Sequence, residues 1–167
     1  MTARRLVLGN WKMNTTLEEA VDIAERLRAE KSFDGVSVGI APPFPWLAAV
    51  KQALGDADVL LGAQTLAATA NGAFTGEVSA AMVAELCDFV LIGHSERRTM
   101  LGETDEIVVE KLRRAVEAGL IPVVCVGETL AQRLAGDQER IVIEQISAAL
   151  SGFPNEALHR LVIAYEP

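Results

Sequence analysis

Phe89-Val90-Leu91-Ile92-Gly93-His94-Ser95-Glu96 decides the fold. Four consecutive apolar residues leave no wet face, so the run reads as a strand covered on both sides, as in a parallel sheet. The glycine, histidine and serine that follow break the apolar pattern where a helix can start. Comparable apolar runs recur at 6–8, 36–41, 59–61, 123–126 and 161–164, with helix-period segments between them. Thr16-Leu17-Glu18-Glu19 is a capping-box pattern, and Leu17, Ala20, Val21, Ala24 and Leu27 form the apolar stripe of the helix it opens. Thr104 caps another helix, with Asp105 and Glu106 in its positive first turn, Ile107, Val108, Leu112, Ala115 and Val116 facing inward, and Gly119 at its end. Val142, Ile146, Ala149 and Leu150 repeat the pattern. Alternating strands and helices of this kind make an α/β chain, a parallel sheet covered by helices.

With 167 residues, half of them apolar, the chain has room for one domain with a real core. A net charge of -8 argues against a nucleic-acid or anionic-membrane surface, which needs clustered Lys and Arg. Leu6-Val7-Leu8, behind the basic pair Arg4-Arg5, is too short for a signal-peptide core, and no run approaches membrane-spanning length. Cys87 and Cys125, the two cysteines, sit in or beside apolar runs and not at metal-ligand spacing. They read as buried free thiols, which fits a reducing, cytoplasmic setting. The connection at 64–77, punctuated by Asn71-Gly72 and Thr75-Gly76, is too irregular for a simple turn, and such loops are usually functional or intermolecular.

Lys12, His94 and Glu166 each follow an apolar run closely, so an amine, an imidazole and a carboxylate should gather at the C-terminal rim of the sheet. That rim is where parallel α/β folds bind ligands. Each residue alone has a plainer reading: a solvated lysine, a hydrogen-bonded histidine, a solvated glutamate. Three on matching rims point to acid–base chemistry. Gly9-Asn10-Trp11 suits a close backbone approach and a packed loop before Lys12. Ser95 is expected to cap the helix after His94, whose positive end disfavours a second proton on the imidazole. Gly127-Glu128-Thr129 reads as a turn with Thr129 as a helix cap, supporting contacts to the site being the alternative. His159 is assigned to the surface. No phosphate-binding glycine loop, metal-ligand cluster or nucleophile triad stands out.

Further motifs accompany these: Gly9-Asn10-Trp11-Lys12-Met13-Asn14, Ala41-Pro42-Pro43, Gly62-Ala63-Gln64, Gly72-Ala73-Phe74-Thr75-Gly76-Glu77, Ile92-Gly93-His94-Ser95-Glu96-Arg97-Arg98, Cys125-Val126-Gly127-Glu128 and Ala164-Tyr165-Glu166-Pro167. In this order and spacing they resemble the triosephosphate isomerase family. The resemblance implies a (β/α)8 TIM barrel, present here only as strands 1 to 6 with the intervening helices. Residues 1–167 are then expected to be one incomplete TIM-barrel domain whose C-terminal βα units are missing. The implied reaction interconverts dihydroxyacetone phosphate and D-glyceraldehyde 3-phosphate through an enediolate, in glycolysis and gluconeogenesis, without cofactor or metal.

By this resemblance Glu166 would be the base that moves a proton between adjacent carbons, and neutral His94 would polarise the carbonyl and shuttle a proton between the oxygens. The pairing of a carboxylate base with a neutral histidine is already described for this family. Lys12 would attract the substrate's negative charge and stabilise the enediolate, with Asn10 adding a hydrogen bond and Trp11 completing the substrate-binding stretch. Ser95 would hold Glu166 in the empty site, Glu96 would neighbour Lys12, and Cys125 would be a structural thiol. Gln64 and Thr75 would lie at a homodimer interface, with the long loop reaching the partner. The implied partners are a small phosphosugar and a second copy of the chain, with no nucleic acid and no membrane. Thr65 departs from the family, which usually has asparagine there, at the base of that loop. The alternative is a catalytically silent truncated scaffold, or a split-barrel fragment needing a complementing piece. Another phosphosugar enzyme on the same barrel is a third reading. A six-stranded barrel is expected to expose strand edges and to retain little activity alone.

Overall fold

Every apolar run of strand length becomes a strand. The computed structural model describes residues 5–30 and 33–167; Arg4, half of the expected basic pair, lies outside the described residues. The elements run β1 (Arg5–Asn10), α1 (Leu17–Ala29), β2 (Val36–Ala41), α2 (Leu47–Leu54), β3 (Val59–Ala63), α3 (Ala80–Ala84) and β4 (Phe89–Ile92). They continue with α4 (Ser95–Leu101), α5 (Asp105–Glu117), β5 (Ile121–Val126), α6 (Leu130–Leu134), α7 (Gln138–Leu150) and β6 (Val162–Tyr165). Short 3-10 turns occupy Phe44–Trp46 and Asn155–Arg160. The six strands pair in parallel and in chain order, β1-β2-β3-β4-β5-β6, as an open half-barrel with helices outside.

Period-2 alternation splits each strand between two cores. Ile40, Leu61, Val90, Ile92, Val124 and Val126 face outward and pack with the helices. Ala41, Phe89, Leu91 and Val123 form a second cluster on the concave face, joined by Leu8, Leu60 and Val162. Phe89 dominates that layer, and two glycines on neighbouring strands make room for it. A Cβ at Gly62 would lie 2.2 Å from its Cζ, and one at Gly39 would lie 3.0 Å from its Cε1. Below them a cavity of about 340 Å³ opens between Leu6, Leu8, Leu60, Phe89 and Val162.

The helices start where the caps predict. Thr16 closes a full capping box with Glu19, and Thr104 accepts from the Ile107 amide. Ala20, Ala24, Val108, Leu112, Ala115 and Ala149 are buried as expected. The stripes fray at their ends: Leu17 and Ile107 in first turns, and Leu150 in a last turn, are exposed. Lys111, not foreseen in the core, occupies the inward stripe of α5 and is 3% exposed. In the loop between β3 and α3, residues 70–77 are exposed, while the Ala67 amide donates to Val78 O at 2.8 Å and closes the loop's base. No helix among the described residues is long and apolar enough to cross a membrane.

Candidate active site

Lys12 stands in the turn after β1 with left-handed backbone, φ 54°. A non-glycine residue there costs on the order of 1–3 kcal/mol and persists only where its surroundings hold it. They do so from both sides: the Lys12 amide donates to Asn10 Oδ1 at 3.0 Å, and Gln64 Nε2 donates to Lys12 O at 2.8 Å. Gln64, expected at an interface, also donates to Ala41 O at 2.8 Å and so ties the turn to the end of β2. Trp11 packs against the helix-side core, and its amide donates to Ala41 O at 3.1 Å. Its ring thus shapes the turn from behind.

The turn delivers the Lys12 ammonium to Glu96, Nζ to Oε1 at 2.8 Å. That hydrogen bond and the Glu96 charge hold the Lys12 pKa above its ordinary value, and the same hydrogen bond holds the Glu96 carboxyl below its own. Lys12 is therefore cationic throughout the neutral and mildly alkaline range. The pair is half-exposed, so it contributes position and little stability.

His94 caps α4 and is 6% exposed. The expectation that Ser95 caps this helix is corrected here: the His94 Nδ1 accepts the Glu96 amide at 3.2 Å, doing with a ring nitrogen what a cap hydroxyl does elsewhere. A nitrogen that accepts an N–H carries no proton of its own, so the ring's proton sits on Nε2. Nε2 lies 3.0 Å from Glu166 Oε1. Ser95 becomes the first residue of α4, and its amide donates to Glu166 Oε2 at 3.2 Å. The backbone of Ser95, not its hydroxyl, holds the carboxylate.

Glu166 follows β6, its amide donating to Val126 O at 2.8 Å. Lys12, His94, Ser95, Glu96 and Glu166 therefore meet at the C-terminal ends of β1, β4 and β6, joined by hydrogen bonds and by the close His94 Nε2–Glu166 Oε1 contact. Thr75 stands apart, exposed on the long loop. Burial, with Glu166's charge beside it, pushes the Cys125 thiol up to about 12, so it is inert at neutral pH. No group of three or more His, Cys, Asp or Glu side chains suited to a metal ion is found among the described residues.

Several supports escaped the sequence reading. Thr129 is the cap of α6, as expected, with a capping box to Gln132. Yet the residues before it also serve the rim: the Tyr165 hydroxyl donates to the Glu128 carboxylate at 3.1 Å, and Arg133 Nε donates to the same group at 2.8 Å. This brackets the end of β6 just before Glu166. Thr65, expected from the resemblance to be a departure at the base of the long loop, accepts from Lys111 Nζ at 2.8 Å, so its hydroxyl serves the buried ammonium. Only the Gly127-Glu128-Thr129 turn hinted at these contacts; the rest join residues far apart in sequence.

The triosephosphate isomerase family pattern matches residues 5–167. Curated relatives described as triosephosphate isomerase include a Cupriavidus necator protein, 49% identical over 165 residues, which are 98% of this chain and 66% of the relative. One from Bordetella pertussis is 47% identical over 164 residues, covering 98% and 66%. One from Dehalococcoides mccartyi is 42% identical over 163 residues, covering 97% and 63%. The chain spans just under two thirds of the length of these relatives. With strand order, rim residues and family pattern in agreement, the chain belongs to the triosephosphate isomerase family.

Proposed function

We propose that this chain carries the proton-transfer residues of a triosephosphate isomerase, and that turnover requires further strands to close its sheet. The observation that carries the reading is the His94–Glu166 contact, Nε2 to Oε1 at 3.0 Å, with the tautomer set by the Glu96 amide. An Nε2–H aimed at the rim can donate to a substrate carbonyl oxygen, and a carboxylate beside it can take the proton from the adjacent carbon. Substrate entry would replace the His94 contact and release Glu166 to act as base. The Lys12 ammonium would stabilise the enediolate charge, with Asn10 hydrogen-bonding nearby. Phosphate grip and exclusion of water would come from the closing strands and their loops. Positioning of this kind is worth up to roughly 7–11 kcal/mol, so the open sheet is expected to turn over slowly alone. The same reading carries a homodimer, with Thr75 on the exposed loop reaching the partner, and a cytoplasmic setting supported by two buried free thiols.

The test is glyceraldehyde 3-phosphate isomerisation by the chain alone and with a polypeptide supplying two further βα units. Activity should emerge with the added piece. In that complex Glu166→Gln should lower kcat by roughly 10²–10⁴ with little change in KM, since it removes a base and keeps the shape. Unchanged turnover in Glu166→Gln would sink the assignment of the base. No activity in either sample would leave the silent-scaffold reading in its place.

A further inference from the structure

The turn after β5 is gripped from the helix layer by one side chain. Gln145, on α7, accepts the Gly127 amide through Oε1 at 2.8 Å and donates to the Gly127 carbonyl through Nε2 at 3.1 Å. One carboxamide thus engages both polar backbone groups of that residue. Gly127 also bears on Glu166. A Cβ at Gly127 would lie 2.0 Å from Glu166 O and 2.9 Å from its carbonyl carbon. The neighbouring Val126 carbonyl accepts the Glu166 amide at 2.8 Å, so two successive residues set the backbone from which the carboxylate departs.

We infer that Gln145 is a positioning residue for Glu166: by fixing Gly127 against the Glu166 backbone, it sets where the carboxylate meets His94 Nε2 and the Ser95 amide. The contact is backbone on backbone, so no side-chain rotation absorbs a shift of Gly127. Docking of α7 does not explain the amide pair, because Val142, Ile146 and Ala149 already seat that helix in the core. The kinetic consequence rests on the isomerase reading; the geometric one does not.

Gln145→Leu keeps the side-chain volume and removes both hydrogen bonds, whereas Val142→Ala loosens α7 without touching Gly127. Hydrogen exchange of the Ser95 amide, at low micromolar concentration of the 167-residue chain, reports its bond to Glu166. Gln145→Leu should raise that rate severalfold, towards the rate in Glu166→Ala, while Val142→Ala leaves it within twofold. In the strand-complemented enzyme Gln145→Leu should lower kcat about tenfold to a hundredfold at constant KM, the penalty expected for an ångström-scale misplacement. Should Gln145→Leu fail to fold, Gln145→Glu keeps acceptance from the Gly127 amide, loses donation to its carbonyl, and should give an intermediate exchange rate. A Ser95 amide that exchanges at the unsubstituted rate in both variants overturns the inference. An inactive unsubstituted complex overturns the isomerase reading and leaves the exchange test standing.

Discussion

Glu103 is 7% exposed and shares one oxygen between two cations, accepting from Arg97 Nε at 2.5 Å and from Lys111 Nζ. Burial pushes its carboxyl up, but the hydrogen bonds and charges of Lys111 and Arg97 outweigh that and hold it below the ordinary value. Burial drives the Lys111 pKa down against the pull of Glu103, so the ammonium depends on this partner. Removing one member of a buried pair leaves an uncompensated charge, and Glu103→Gln should cost roughly 3–5 kcal/mol at pH 7. A carboxyl lowered by folding contributes stability that is fully present above its unfolded pKa and is lost as pH falls through the folded one. The gap in urea midpoint between the chain and Glu103→Gln should therefore be widest near neutrality and close below about pH 4. An equal gap at pH 3 and pH 7 would remove the ion pair as its cause.

Phe89, on β4, shows how tightly strands constrain one another. A methyl at Gly62 on β3 would fall 2.2 Å from the Phe89 ring, closer than real contacts allow. Overpacking of this kind costs typically about 1–3 kcal/mol. Gly62→Ala should lower the melting temperature, and adding Phe89→Leu, which vacates the contested space, should return part of the loss. Simple additivity in the double variant would show that the clash is not the cause. The strands were legible because residues covered on both faces write continuous apolar runs, and all six expected runs became strands. The caps of α1, α5 and α6 were legible because their chemistry is local. The cap of α4 was misread because a histidine ring in that role has no signature beside an adjacent serine. Lys111 in the core and Gln145 at Gly127 were illegible for another reason: their partners are fixed by the packing of helices onto the sheet, not by spacing along the chain.

Across the whole molecule the sheet has two edges, β1 and β6, that find no further strand among the described residues. Val7 is 57% exposed on one edge, and Ile163 is 45% exposed on the other. Such edges are templates for pairing with another chain. Sedimentation of the isolated chain should show association that grows with concentration and is suppressed by the complementing βα units. A monomer at every concentration would mean that the edges are protected in solution. Backbone strain is also unevenly spread: the described non-glycine residues with left-handed backbone are Lys12 and Thr15, both in the turn between β1 and α1. At position 12 the fold and the chemistry make opposite demands, because glycine would relieve the backbone and remove the ammonium. Selection for heat tolerance alone would favour glycine at that position, so a screen scored only on staying folded would work against the ammonium.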